Sequence, residues 1–266
     1  MDDLKSGCGP WALILGASEG LGEAWAREAA AQGLSVALVA RRADALAEVA
    51  ASIGDEHDVE TRTIAADVGA ADLIETLEAA TGGLEIGLVV YNATMGHLGT
   101  FLAQNPADVQ TMVDVNCRGP LRIAHHYGTA MRARGRGGII LMSSGAGLAG
   151  GPGNAVYAAA KAFDLVLGEG LSREFRAFGV HVLSIIGPAI DTPNFRRENP
   201  NTKALLAAPM LPGELAREAY ARLGEASSWV PGEAWREGLA MLATLPREQQ
   251  IDAMAASVRA MYGERP

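Results

Sequence analysis

Trp11-Ala12-Leu13-Ile14-Leu15-Gly16-Ala17-Ser18-Glu19-Gly20-Leu21-Gly22 is the stretch whose reading decides the fold. Its five apolar residues in a row are too few for a helix and read as a strand buried on both faces. Gly16, Gly20 and Gly22 break that strand. An alanine-rich stretch from about Leu21 to Gln32, stopped by Gly33, reads as the helix that follows. A glycine turn between strand and helix lets backbone approach an anionic group at the helix N-terminus. With 32 glycines in the chain, the triplet gains its weight from this strand–loop–helix setting.

The same alternation continues outward. Ser35–Ala40, Val59–Ala65, Ile86–Tyr91, Gly138–Met142 and Val180–Ile186 read as further strands, about six in all. Helices are expected between them at Ala43–Ile53 and Ala70–Thr81. Apolar runs separated by helices imply an α/β, Rossmann-like, doubly wound parallel sheet with helices on both faces. After Pro188 the strand signal ends. A segment of about 190–212 reads as a lid over substrate, and about 213–266 as a helical C-terminal cover, with helices at Gly213–Gly224 and Arg247–Tyr262. No linker or repeat divides the chain, so one domain is expected over 1–266.

The 266 residues carry a net charge of −9 with 49% hydrophobic and 20% charged residues. That is a globular composition, and its sign disfavours nucleic acid, which calls for a basic surface. Cys8 and Cys117 have no metal or redox spacing. Cys117 reads as a small buried apolar residue, and two unpaired cysteines fit a reducing compartment. The N-terminus from Met1 shows no basic n-region, and Trp11–Leu15 is too short for a leader or a membrane span. A cytoplasmic, metal-free protein is expected, with His125-His126 structural or at the surface and His97 a solvated loop residue in preference to a substrate contact.

Tyr157-Ala-Ala-Ala-Lys161 places a phenol and an ammonium on one helix face, a turn apart. The ammonium can bring the phenol from its free pKa of about 10 toward working pH, making it a candidate acid or base. Ser144 lies thirteen residues upstream of Tyr157, with Ser143 beside it as support. The second strand ends Val39-Ala40-Arg41-Arg42. An NAD site commonly carries a carboxylate there, whereas two arginines suit a 2′-phosphate, so NADP(H) is favoured over NAD(H). Glu19 within the glycine loop would repel phosphates and is expected to turn outward. Asp67, closing the third strand, fits either an adenine contact or an N-cap for the next helix.

Together these residues, over about 11–195, resemble the short-chain dehydrogenase/reductase family. The resemblance rests on Gly16, Gly20 and Gly22, Asp67, Asn92-Ala93, Asn116, Ser144, Tyr157, Lys161, and Gly187-Pro188 with Thr192. It implies a cofactor site that also draws on Ser18, Glu19, Leu21, Arg41, Arg42, Val68 and Ile190. It further implies a catalytic tetrad. Ser144 polarises a carbonyl, Tyr157 moves the proton, Lys161 lowers the phenol pKa and bonds the ribose, and Asn116 holds a water leading from Lys161. The opening stretch, the Val39–Arg42 turn and Val230-Pro231-Gly232 are most similar to NADPH-dependent ketone reductases, among them bacterial 7β-hydroxysteroid dehydrogenases.

Three positions depart from the pattern: Leu15 for Thr, Thr94 for Gly, and Ala189 for Gly. None transfers a proton, so altered cofactor affinity is expected from them. The mixture of Ile190, Phe195, Leu205, Leu206, Met210 and Leu211 in the lid suggests an apolar inner face. That suits a bulky ketone or secondary alcohol, such as a steroid. A catalytically silent NADP(H)-binding regulator is the competing reading. By resemblance a homodimer is expected, with a tetramer as the alternative, paired through the helices that carry the Asn and Tyr motifs.

Overall fold

A seven-stranded, all-parallel sheet in the order β3-β2-β1-β4-β5-β6-β7 organises the chain in the computed structural model. It describes residues 4–263. The outermost residues of the domain expected over 1–266, including the N-terminal reading from Met1 and the end of the helical cover, lie outside the described residues.

The strands are β1 Trp11–Leu15, β2 Ser35–Ala40, β3 Thr61–Ala65, β4 Ile86–Tyr91, β5 Gly137–Ser144, β6 Val180–Gly187 and β7 Ser228–Trp229. The helices are α1 Leu4–Cys8, α2 Gly20–Ala31, α3 Ala43–Glu56, α4 Leu73–Thr81, α5 Pro106–Val113, α6 Gly119–Arg134, α7 Ala155–Phe175, α8 Pro193–Arg197, α9 Pro212–Arg222, α10 Glu233–Ala243 and α11 Arg247–Tyr262. β1 and β4 are buried at every position, as central strands covered on both faces must be. β3 is an edge strand in which only Ile64 is buried, and its exposed Arg62 and Thr63 face solvent.

Two apolar layers flank the sheet. One gathers Ile14, Trp25, Leu38 and Tyr220, the other Leu13, Leu77, Tyr127 and Leu141. α9 is locked to α2 by Tyr220, whose hydroxyl donates to the Trp25 carbonyl at 2.9 Å while the two rings meet edge to face at 5.0 Å. Such an aromatic pair adds about 1 kcal/mol beyond area burial.

Three expectations shift. A seventh strand exists after Pro188, because Ser228–Trp229 pairs with Ser184 and Ile185. Two residues are too few to show any periodicity. The third strand ends at Ala65, so Asp67 lies beyond it and does not cap a helix. Asp72 occupies the N-cap position of α4, whereas the Asp67 carboxylate accepts from the Gly69 amide at 2.9 Å in a local turn. Cys117 is half-buried rather than buried, and no disulfide joins it to the buried Cys8. Among the described residues, no helix is long and apolar enough to cross a membrane, and no cluster of potential metal ligands forms.

Candidate active site

Strand order reverses between β1 and β4, and the crevice at their carboxyl ends is where a sheet of this class takes a ligand. The glycine loop lies on one side of that crevice. Gly16 has φ +85° and Gly20 φ +61°, conformations that side chains disfavour. A methyl group on Gly16 would come within 2.8 Å of the Ala93 backbone, and one on Gly22 would overlap the Gly16 carbonyl. Without Cβ atoms at Gly16 and Gly22 the loop packs directly on the β4 end and on the start of α2, and it leaves the N-terminus of α2 as a place where a pyrophosphate could rest. Its residues fit a dinucleotide.

Leu15 lacks the hydroxyl expected there, yet the loop is tied to the β4 end by other bonds. The Asn92 amide donates to the Leu15 carbonyl at 3.1 Å, and its side-chain Nδ2 to the Gly16 carbonyl at 3.2 Å. Leu21 and Val68 are buried, one in each of the two apolar layers. Across the crevice, Thr192 caps α8 by accepting from the Phe195 amide. A methyl on Gly20 would touch Thr192 and Pro193 at 3.2 Å. The segment from Pro188 through Ile190 to Thr192 therefore faces the glycine loop.

Glu19 is not idle at the loop's rim. Its carboxylate pairs with Arg42 at 3.2 Å and with Arg197 of α8. The hydrogen bond from Arg197, with help from Arg42, holds its carboxyl below the usual range. Arg42 also donates to Ser18 at 3.2 Å, and both Arg41 and Arg42 are exposed beside the crevice. The pairing with Arg197 joins residues 178 positions apart, a link that no local pattern announces.

Asn116 sits in a π-helical turn, Asp114–Arg118, between α5 and α6. Such turns recur at functional sites. It is fully buried. Its Oδ1 accepts from the Met95 amide at 2.9 Å and the Thr94 hydroxyl at 3.3 Å, and its Nδ2 donates to the Met95 carbonyl at 2.6 Å. Its side chain clamps the segment after β4, and Thr94, out of pattern, takes part in the clamp.

Ser144 ends β5, where its Oγ accepts from the Ala146 amide at 3.2 Å and keeps its own proton to give. Ser143 is buried and donates to the Lys161 carbonyl at 2.6 Å, pinning α7 to β5. Tyr157, in the first turn of α7, is half-buried, and its ring lies over Gly96, where a Cβ would stand 3.2 Å away. Lys161 Nζ is 5.8 Å from the centre of that ring. The ammonium is buried and donates to the Met142 carbonyl at 2.6 Å and to Asp164 Oδ2 at 3.1 Å.

Asp164 and Gly96 escaped the sequence reading. Asp164 stands three residues beyond Lys161 on the same face, a spacing that could have flagged it. Burial pushes its carboxyl up to about 6 against the pull of Lys161. Because that lies above the ordinary carboxylate value, its contribution to stability is fullest below the ordinary range and is lost as pH rises through about 6.

The lid is tied at its base. Ile190 and Met210 form a bridge, with the Asp191 amide donating to the Met210 carbonyl and the Met210 amide to the Ala189 carbonyl, both at 2.9 Å. Phe195, Leu205 and Met210 are half-buried, but Leu206 and Leu211 are exposed, so the apolar inner face is narrower than the composition suggests. The tail, expected to cover the sheet, also packs beside the loop that follows Ser144. Leu239 of α10 lies against Gly145, and α11 against Gly151 and Gly153. His97 is exposed and borders a cavity of about 220 Å³ with Leu98 and Gln104. His126 lies 3.7 Å from Glu78 on the outer helices.

A cradle of this shape at the switch point of a parallel sheet defines a dinucleotide-binding protein of the doubly wound class. The chain belongs to the short-chain dehydrogenase family, whose profile matches residues 10–203. It is an oxidoreductase of hydroxyl and carbonyl groups. It is 33% identical over 229 residues to the 7beta-hydroxysteroid dehydrogenase of Clostridium sardiniense, covering 86% of this chain and 88% of that one. A solved structure from work on 7beta-hydroxysteroid dehydrogenase stereoselectivity superposes with a TM-score of 0.89 at 32% identity, covering 95% and 99% of the two chains. A short-chain dehydrogenase from Sphingobium yanoikuyae in complex with NADPH superposes with a TM-score of 0.75 at 26% identity, covering 92% and 99%.

Proposed function

We propose that this protein is a cytoplasmic, single-domain NADP(H)-dependent reductase that interconverts a bulky hydrophobic ketone and its secondary alcohol, with a steroid as the substrate class. What supports this reading is that Ser144 ends β5 while Tyr157 and Lys161 lie in the first turns of α7, with Lys161 Nζ 5.8 Å from the centre of the Tyr157 ring and bonded to the Met142 carbonyl of β5. Bound nicotinamide supplies or accepts the hydride. The Ser144 hydroxyl, free to donate, polarises the carbonyl oxygen, and the Tyr157 phenol delivers a proton to it as negative charge develops there. Lys161 has one N–H left for the site after its two observed bonds. Asn116 holds the segment after β4 in place, and with it the Gly96 platform under Tyr157.

Several relatives, that of Clostridium sardiniense among them, are 7beta-hydroxysteroid dehydrogenases, and the half-buried Phe195, Leu205 and Met210 of the lid suit a large apolar ring system. A panel of steroid and other bulky ketones, followed by loss of NADPH absorbance, tests the reading. Turnover is expected on at least one steroid ketone. NADPH binding without turnover on any carbonyl would favour the silent regulator.

For the cofactor we infer NADP(H), on the ground that Arg41 and Arg42 follow β2 where no carboxylate stands. A 2′-phosphate would take Arg42 in place of Glu19. A charge-assisted hydrogen bond contributes about 1.5–3 kcal/mol. Arg42→Ala is therefore expected to weaken NADPH at least tenfold in a fluorescence titration while NADH binding stays the same. Equal loss for both cofactors would count against a 2′-phosphate site. We also infer a homodimer through α6 and α7, whose Leu121 and Val166 are 48% and 66% exposed. Light scattering should read twice the chain mass, and a monomer would refute it.

A further inference from the structure

We propose that Asp164 is a positioning residue of this site: its carboxylate, with the Met142 carbonyl, fixes the Lys161 ammonium so that one N–H is left for the bound cofactor. The inference rests on the reading above, that Lys161 serves an NADP(H)-bound site.

The geometry is that of a built anchor. Tyr157, Lys161 and Asp164 fall at positions 0, 4 and 7 of one face of α7, which packs on β5 and β6. Both side chains of the pair are almost wholly buried, at 3% and 2% exposure. The helix cannot slide, because Ser143 donates to the Lys161 carbonyl and Ser184 to the Asp164 carbonyl at 2.9 Å. Gly168 brings the helix so close to β6 that a Cβ would overlap the Ser184 hydroxyl.

Asp164 Oδ1 is buried without a hydrogen bond. A structural network would be expected to satisfy that oxygen. An ion pair with one oxygen unsatisfied is a poor stability device, since desolvation offsets its attraction. What the carboxylate does supply is a fixed, buried partner for the Lys161 ammonium. Without it, Lys161 would lose one of its two anchors.

The other titratable groups facing the pair do not change charge near neutrality. Tyr91 of β4 is pushed well above the usual phenol range by burial, with Asp164 and then Asp67 adding and Arg122 opposing. Cys117 of the π-helical turn is raised by burial and by Asp164, against Lys161. Asp164 itself titrates at about 6. Of Tyr91, Cys117 and Asp164, Asp164 is the one whose charge changes between pH 5 and 8.

The test compares NADPH affinity of the wild type with Asp164→Asn and Asp164→Ser, by fluorescence, across pH 5 to 8. The 2′-phosphate of NADPH also titrates near 6, but it does so for every protein and cancels in the ratio. Wild type is expected to bind about tenfold more tightly at pH 8, and the ratio should close to within twofold at pH 5, where Asp164 is neutral. In a Lys161→Met background the same substitutions should leave affinity unchanged at every pH. A ratio that stays constant with pH would make Asp164 merely structural, and a ratio near one throughout would remove it from the site. A pH-dependent ratio that survives Lys161→Met would overturn the action through lysine. Wild type that binds no NADPH at any pH overturns the cofactor reading and this inference with it, a result distinct from the other three.

Discussion

Tyr157→Phe is expected to lower kcat for ketone reduction by about a thousandfold while NADPH binding stays within threefold. The substitution removes one oxygen and leaves the ring over Gly96 and near Lys161. The phenol makes no hydrogen bond to the described residues, so no buried partner is orphaned and the melting temperature should hold. What is lost is the proton that meets the developing alkoxide, and a positioned acid of this kind contributes about 10²–10⁴ in rate. Ser144 can still polarise the carbonyl, but passing its own proton would leave a serine alkoxide, a poorer outcome than a phenolate. Residual activity within tenfold of wild type would mean that the proton comes from elsewhere. It would also favour the reading in which the site binds cofactor without chemistry. Equal loss of NADPH affinity and kcat would instead point to a collapsed loop.

Some of this architecture was legible because it repeats or because chemistry restricts it. The parallel sheet announces itself in uninterrupted runs such as Trp11–Leu15 and Ile86–Tyr91, which suit only strands covered on both faces. Gly16 and Gly22 are readable because backbone lies too close to admit a side chain, and Gly20 because its positive φ favours glycine. What escaped depends on contacts between distant segments. β7 is two residues long and exists through its pairing with β6. Glu19 looked like a charge to be turned away, but Arg42 and Arg197 meet it across the crevice. Asn116 was legible as a motif residue, but the bonds of its side chain to Met95 and Thr94 were not. Asp164 was visible as a residue and invisible as a partner, since an acid on an alanine-rich helix ordinarily faces solvent. The placement of α10 and α11 beside the Ser144 loop, which bears most on substrate, follows from loop lengths and packing that no short motif encodes.

The second large effect is expected from Gly22→Ala. A methyl there would overlap the Gly16 carbonyl oxygen and lie 2.7 Å from its carbon and 2.9 Å from Ala17 Cα. All three are backbone atoms, so no side chain can swing aside, and α2 must move away from the loop. Overpacking of this kind costs about 1–3 kcal/mol, which for a chain of this size is several degrees of melting temperature at roughly 2–4 °C per kcal/mol. The same displacement pulls the helix N-terminus from the place where a pyrophosphate would rest. NADPH affinity should therefore fall at least a hundredfold in a fluorescence titration. Gly54 provides the contrast. It lies inside α3 with no atom within 4 Å of its would-be Cβ. Alanine there should raise the melting temperature by a degree or two, because glycine in a helix costs about 0.5–1 kcal/mol, and should leave NADPH binding unchanged. If Gly22→Ala melted and bound like wild type, the close contact between loop and helix would be wrong as drawn. The cradle would then lose its claim to the cofactor.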